Sequence, residues 1–277
     1  MNKMFSTKLI ALMLAMAMVL AFAGCGKKPS SSEEPSSEPT TSSSTVEDED
    51  DDADVVRIFQ IEKIDQGIER NADTKGWLYI PNTEIDDAVL QSKDNDYYLR
   101  LTEDKEYSIF GCYFADFRCK LETRDELSKN TIIYGHSDYR DDPAGKKFSQ
   151  LYHYAKDIDF VRNNPYVYFS TTEDDMVWQV FAVFYTHIDF NYIQNNPSDP
   201  EFKNIISEAK ARSEYIIDVP VDENDKILTL STCSGLYNAA DKDNYRLVVM
   251  AKLLPGNEIS TNKLTMEVQP NPSPKKS

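Results

Sequence analysis

Ile227-Leu228-Thr229-Leu230-Ser231-Thr232-Cys233 is an apolar, β-branched run that ends in a thiol and passes at once into Ser234-Gly235. Its length and composition predict a strand, with Cys233 presented at the strand-to-loop exit, where a rigid scaffold displays reactive groups. Runs of the same kind lie on both sides, at Ser108 to Phe114, Thr131 to Tyr134, Tyr166 to Ser170, Met176 to His187, Tyr215 to Val219 and Tyr245 to Leu254. Between Gly76 and Leu101, short aromatic and branched runs are punctuated by Pro81-Asn82 and Asp94-Asn95-Asp96, which read as strands and turns. Helical spacing is confined to three places. Val55, Ile58, Ile61, Ile64 and Ile68 recur every three or four residues toward Asn71; Lys146 to Tyr154 is a second case; in Asp199 to Glu214, Phe202, Ile205, Ile206 and Ala209 share a face. Strands dominate, so the expected fold is a mainly antiparallel sheet or barrel with an N-terminal helix and a few appended helices.

The chain has 277 residues, 40% of them hydrophobic, enough for a packed core. Its formal charge of −17 repels nucleic-acid phosphates and disfavours a nucleic-acid partner. Four cysteines, three histidines and no spaced C-x-x-C pair exclude a disulfide-dense scaffold or a multi-finger zinc protein.

At the N-terminus, Lys3 and Lys8 precede an apolar run from Leu9 to Ala23, the layout of an export signal over residues 1–24. The run is shorter than the roughly 20 residues of a spanning helix. Phe22-Ala23-Gly24-Cys25 resembles a bacterial lipobox, with Phe22 where Leu, Val or Ile is usual, and implies lipidation of Cys25; an uncleaved signal anchor is the other reading. Either way the rest of the chain is expected on the extracytoplasmic face of the cell membrane. Residues 25–54 read as a membrane tether rich in Ser, Pro and acidic groups. Ten carboxylates and no aromatic residue between Pro29 and Asp54 leave too little apolar surface to fold. Glu47 to Asp54 lacks the glycine turn and interleaved ligands of a calcium loop. Residues 55–268 form the expected folded domain, and 269–277, with three prolines, a disordered tail.

Three cysteines fall in the folded part. Cys112 and Cys119 are seven apart; a disulfide across a tight hairpin and two separate thiols both fit that spacing. A nucleophilic Cys233 needs a base, and His is the usual partner. His136, in Tyr134-Gly135-His136, also stands at a strand exit, whereas His153 lies in a helical pattern and His187 ends an aromatic strand. A developing oxyanion needs a donor, and Arg246 opens the strand after Cys233, at the same sheet end.

Thr229-Leu230-Ser231-Thr232-Cys233 resembles the TLxTC signature of sortases, with the histidine before it in a Tyr-Gly-His context and the arginine after it. The likeness covers most of residues 75–254 and is strongest to class B, since a helix precedes the first strand and another, Asp199 to Glu214, lies between late strands. Ser137 stands where class B members often have Asn, and the interval from Cys233 to Arg246 is long. The resemblance implies a closed barrel of about eight strands and a cysteine transpeptidase that needs neither metal nor cofactor. Cys233 is implied as the nucleophile toward the threonine carbonyl of a Pro-x-Thr-type sorting signal. His136 is implied as the acid that protonates the leaving amine and later accepts a proton, and Arg246 as the oxyanion and substrate-positioning donor. The implied partners are exported proteins bearing a C-terminal sorting signal, an amine of peptidoglycan or a pilin, and the membrane through the N-terminal anchor. A hydrolytic cysteine peptidase on the same residues, or an inactive surface-binding lipoprotein, are the alternatives.

Overall fold

The computed structural model describes residues 60–138, 140–235, 244–257, 259–260 and 262–273. The proposed signal, Cys25 and the acidic tether lie outside them, as does most of the loop between Cys233 and Arg246. Among the described residues no helix is long and apolar enough to cross a membrane.

Eight strands close into a barrel: β1 (Thr74–Tyr79), β2 (Asp86–Leu90), β3 (Tyr113–Ala115), β4 (Asn130–Tyr134), β5 (Tyr166–Thr171), β6 (Val177–His187), β8 (Ile227–Cys233) and β9 (Tyr245–Leu253), in the order β1-β2-β3-β4-β8-β9-β6-β5. The expected predominance of antiparallel pairing holds, with two exceptions, β2 beside β3 and β4 beside β8, which run parallel. A parallel pair needs a crossover connection. Between β4 and β8 that crossover includes α2 (Tyr152–Lys156), α3 (Ile158–Asn163) and α4 (Asp199–Arg212) as well as strands β5 and β6 of the barrel.

Strand β6 is almost continuously buried over its 11 residues instead of alternating. One face fills the barrel and α4 packs on the strand, so both sides are dry. The α4 face is the one its spacing predicts: Phe202, Ile205, Ile206 and Ala209 are buried. Its N-terminus is closed by a capping box in which the Glu201 carboxylate accepts from the Ser198 backbone N–H at 2.9 Å. The N-terminal helix α1 (Ile61–Arg70) carries Ile61, Ile64 and Ile68 of the apolar stripe, and residues 55–59 lie outside the described part.

Two sequence expectations need correction. Ser108 to Phe114 is not a strand throughout: the chain turns at Ser108–Gly111, where Gly111 N–H donates to the Ser108 carbonyl and takes φ 56°. A Cβ there would meet the Leu99 carbonyl oxygen at 2.7 Å, so only glycine fits. The tail is docked over residues 269–273. The Gln269 side-chain amide and the Ser273 backbone N–H both donate to the Ala211 carbonyl, satisfying the end of α4. Ahead of it, β10 (Met266–Val268) pairs with β7 (Tyr215–Ile217) in a separate two-stranded sheet that the sequence reading did not contain. Cys112 and Cys119 are both free and buried in different apolar clusters, which answers the open disulfide question. Burial pushes the Cys119 thiol up to about 12 and that of Cys112 higher still, so neither is a ready nucleophile.

Candidate active site

Strand register brings the three chosen residues to one end of the barrel. In the parallel pair, Tyr134 of β4 lies opposite Ser231 of β8; two residues further along each chain stand His136 and Cys233. On the other side of β8, the antiparallel ladder sets Cys233 opposite Arg246 of β9. Imidazole, thiol and guanidinium therefore come from three neighbouring chain segments. All three line one cavity of about 330 Å³, whose walls also include Leu99, Phe114, Ile188, Phe190 and Tyr192.

Each group is held differently. His136 is half-buried, and its Nε2 lies 2.7 Å from the Leu99 carbonyl oxygen. A carbonyl only accepts, so Nε2 carries the proton and Nδ1 the lone pair of the neutral ring. Burial first, and then the nearby Arg100 charge, hold the imidazole below its ordinary 6.5, against the opposing effect of the Leu99 hydrogen bond. At neutral pH the ring is uncharged. Cys233 is an exposed free thiol. Its backbone carbonyl accepts from the Ser137 hydroxyl at 2.7 Å and the Tyr152 hydroxyl at 2.8 Å. Arg246 is half-buried, and its Nη1 donates to the neighbouring Tyr245 carbonyl at 2.9 Å.

The cavity is apolar but anchored by a polar frame. Asp116 is buried, and its carboxylate accepts from Arg118 Nε at 2.8 Å, Asn95 Nδ2 at 2.9 Å and Tyr134 Oη at 2.9 Å. Burial alone would raise this carboxyl, but Arg118 and the other donors hold it below the usual range. The connection from β6 to α4, which forms the opposite wall, is pinned by Asn130. That side chain donates to the carbonyls of Tyr192 and Gln194, at 2.9 and 3.0 Å. Tyr192 in turn shares a hydrogen bond of 2.8 Å with Ser231, two residues before the thiol.

The remaining histidines stay outside the cavity. His153 stacks on Phe160, and His187 pairs with Asp189 and sits edge-on to Tyr245. Among the described residues no group of three or more His, Cys, Asp or Glu side chains is arranged to hold a metal ion. Sequence reasoning found the three principal residues but missed Leu99, Arg100, Ser137 as a hydrogen-bond donor, Tyr152 and Asp116. Leu99 acts through its backbone, which leaves no mark on side-chain patterns. The others lie in loops or on elements whose proximity follows only from topology.

Comparison with known proteins gives a consistent result. Residues 78–254 match the family model described as Sortase domain. The chain is 38% identical over 185 residues to Sortase B of Listeria monocytogenes, and 34% identical over 185 residues to Sortase B of Staphylococcus aureus. Each alignment covers 66% of this chain and 71% of the relative. Among solved structures, the Staphylococcus aureus sortase B–substrate complex is similar with a TM-score of 0.59 and 30% identity, over 73% of this chain and 86% of that one.

Proposed function

This chain belongs to the sortase family as a class B-like cysteine transpeptidase of the cell wall, and we propose that Cys233, His136 and Arg246 carry its reaction on a Pro-x-Thr-type sorting signal. The observation that carries this reading is the meeting of the three side chains at one cavity from β8, the exit of β4 and β9.

In the proposed cycle, the thiol and the imidazole share one proton. The Cys233 sulfur attacks the threonine carbonyl carbon, and a C–S bond forms while the carbonyl π pair moves to oxygen. The Arg246 guanidinium faces that oxyanion with charge and N–H donors. Collapse breaks the C–N bond, and the leaving amine takes the proton held on His136. The thioester then waits beside the apolar wall formed by Leu99, Phe114, Ile188 and Phe190. An incoming amine, from peptidoglycan or a pilin, attacks the same carbon, returns a proton to His136 and expels the thiolate. The acyl group thus ends on a new amine and the enzyme is restored.

The substrate's site is at the cell surface, as for sortases generally. An anchor at the N-terminus, by lipid on Cys25 or by an uncleaved signal, would hold the barrel there on the acidic tether and raise its local concentration toward exported substrates. Globomycin-sensitive processing supports the lipid form; failure of the chain to incorporate radiolabelled palmitate excludes it.

The test is mass spectrometry of the products when the full chain meets a panel of Pro-x-Thr peptides and amine acceptors. A product joined through Thr to the acceptor, absent with Cys233→Ala, is expected. Products carrying only a free carboxylate, whichever acceptor is present, point to a peptidase; no cleavage of any peptide points to a binding protein.

A further inference from the structure

We infer that Asp141 is a positioning residue for the Cys233 thiol, acting through the two residues that follow it; this rests on the reading of Cys233 as the nucleophile. Asp141 lies in the loop after His136 and is 3% exposed. Both of its carboxylate oxygens are used on the chain just beyond the thiol. Oδ2 accepts from the Ser234 hydroxyl at 2.9 Å, and Oδ1 accepts from the Gly235 backbone N–H at 3.0 Å. The β8–β9 ladder reaches one residue past the nucleophile, with Ser234 N–H donating to the Tyr245 carbonyl at 3.0 Å, and then the chain departs. Asp141 therefore grips the backbone at the point where it leaves the sheet.

Two features mark this contact as more than incidental loop packing. A buried carboxylate is costly unless donors replace its water, and here two of those donors, the Ser234 hydroxyl and the Gly235 N–H, belong to the post-nucleophile segment. Asp141 also holds φ at 55°, a left-handed conformation in which Asp is tolerated better than most residues. Its own carbonyl accepts from Lys156 Nζ of α2, next to the Tyr152 whose hydroxyl meets the Cys233 carbonyl. The loop after His136 thus holds the chain at two successive points, through Ser137 at the Cys233 carbonyl, where Tyr152 of α2 joins it, and through Asp141 at Ser234 and Gly235. A thiol whose carrier frays by an ångström loses its alignment with the acyl carbon while keeping its chemistry.

The geometry predicts which replacements matter. Asp141→Gly removes both acceptors without backbone strain. Asp141→Asn retains an oxygen for Gly235 N–H and offers its amide N–H to the Ser234 oxygen. With the full chain, a sorting peptide and an amine acceptor, Asp141→Gly is expected to lower kcat by about 10- to 100-fold with KM within about threefold. Asp141→Asn should stay within about threefold of the parent. Iodoacetamide followed by peptide mapping supplies the second reading. The small reagent needs no alignment, so Cys233 in Asp141→Gly should alkylate at close to the parental rate, while Cys112 and Cys119 stay unmodified. Unaltered kcat in Asp141→Gly overturns the inference, as does an Asp141→Asn variant as slow as Asp141→Gly. Alkylation of Cys112 or Cys119 also overturns it, because the loss is then general loosening. Cys233→Ala run alongside keeps the two readings apart: turnover surviving in that variant removes the nucleophile assignment itself.

Discussion

The exits of β4 and β8 run side by side in the same direction, yet the protein secures them in opposite ways. At the β4 exit the side chain is fixed: the His136 ring is half-buried and tied through Nε2 to the Leu99 carbonyl. At the β8 exit the backbone is fixed, by two hydroxyls on the Cys233 carbonyl, while the thiol itself is exposed. The difference follows from what each group does in the proposed cycle. A proton carrier must present one nitrogen in one tautomer, so its ring is oriented. A nucleophile gains and loses an acyl group, so its sulfur needs room and only its carrier is held.

The comparison breaks most completely when either terminal group is removed. Cys233→Ala and His136→Ala are each expected to abolish ligated product while circular dichroism stays native; turnover in either variant shows that the two exits are not the working pair. Next comes Arg246→Ala, with a loss of about 10²-fold or more in kcat/KM, the scale of one missing oxyanion donor. A smaller effect is expected from loosening the nucleophile's carrier. Tyr152→Phe removes one of two donors to the Cys233 carbonyl and should cost about 1 kcal/mol in denaturant unfolding, with kcat falling less than about tenfold. Ser137→Ala added to it should cost more than the two singles summed, because the carbonyl then lacks both hydroxyls.

Arg100→Gln sharpens the comparison without disabling either side. A second proton on His136 stops the thiol–imidazole pair, so the acid limb of kcat/KM reports that titration and lies below the ordinary imidazole range. Removing the Arg100 charge should move the limb upward and leave the plateau near parental. The sign for stability follows from the same shift. With the folded-state value depressed, the unfolded chain takes up the proton first, so this contribution is present above about pH 6.5 and is lost as pH falls below it. An acid limb that Arg100→Gln leaves in place would assign it to another group.

Much of this was legible in the sequence where side chains carry the signal. The apolar run ending in Cys233, the Tyr-Gly-His exit and the opening arginine of β9 each mark a strand end, and the α4 face is visible in its spacing. Strand direction is not, since Thr131 to Tyr134 reads the same whether it pairs parallel or antiparallel; the β4–β8 pairing that aligns His136 with Cys233 comes from the chain's route. The turn at Gly111 was hidden because Ser108 to Phe114 is rich enough in apolar residues to pass for a strand. Asp141 and Tyr152 read as ordinary loop and helix residues, because their partners, the Ser234 hydroxyl and the Gly235 N–H for one and the Cys233 carbonyl for the other, lie 93, 94 and 81 positions away in sequence and meet them only in the fold. In the strip β7–β10, the first strand lies within the run Tyr215 to Val219, but β10 carries no signal of its own because three residues are too few for a period to show.

The parallel pairing has one more consequence, in the order of events as the chain folds. Ser137 and Cys233 meet across a sequence separation of 96 positions, and contacts of such separation form only after the loop-closure entropy has been met. A chain whose hairpins have formed but whose β4 and β8 have not paired owns a thiol and an imidazole with no means of bringing them together. Acyl-transfer activity is thereby tied to the completion of the barrel, and a partly folded molecule is chemically silent toward its neighbours.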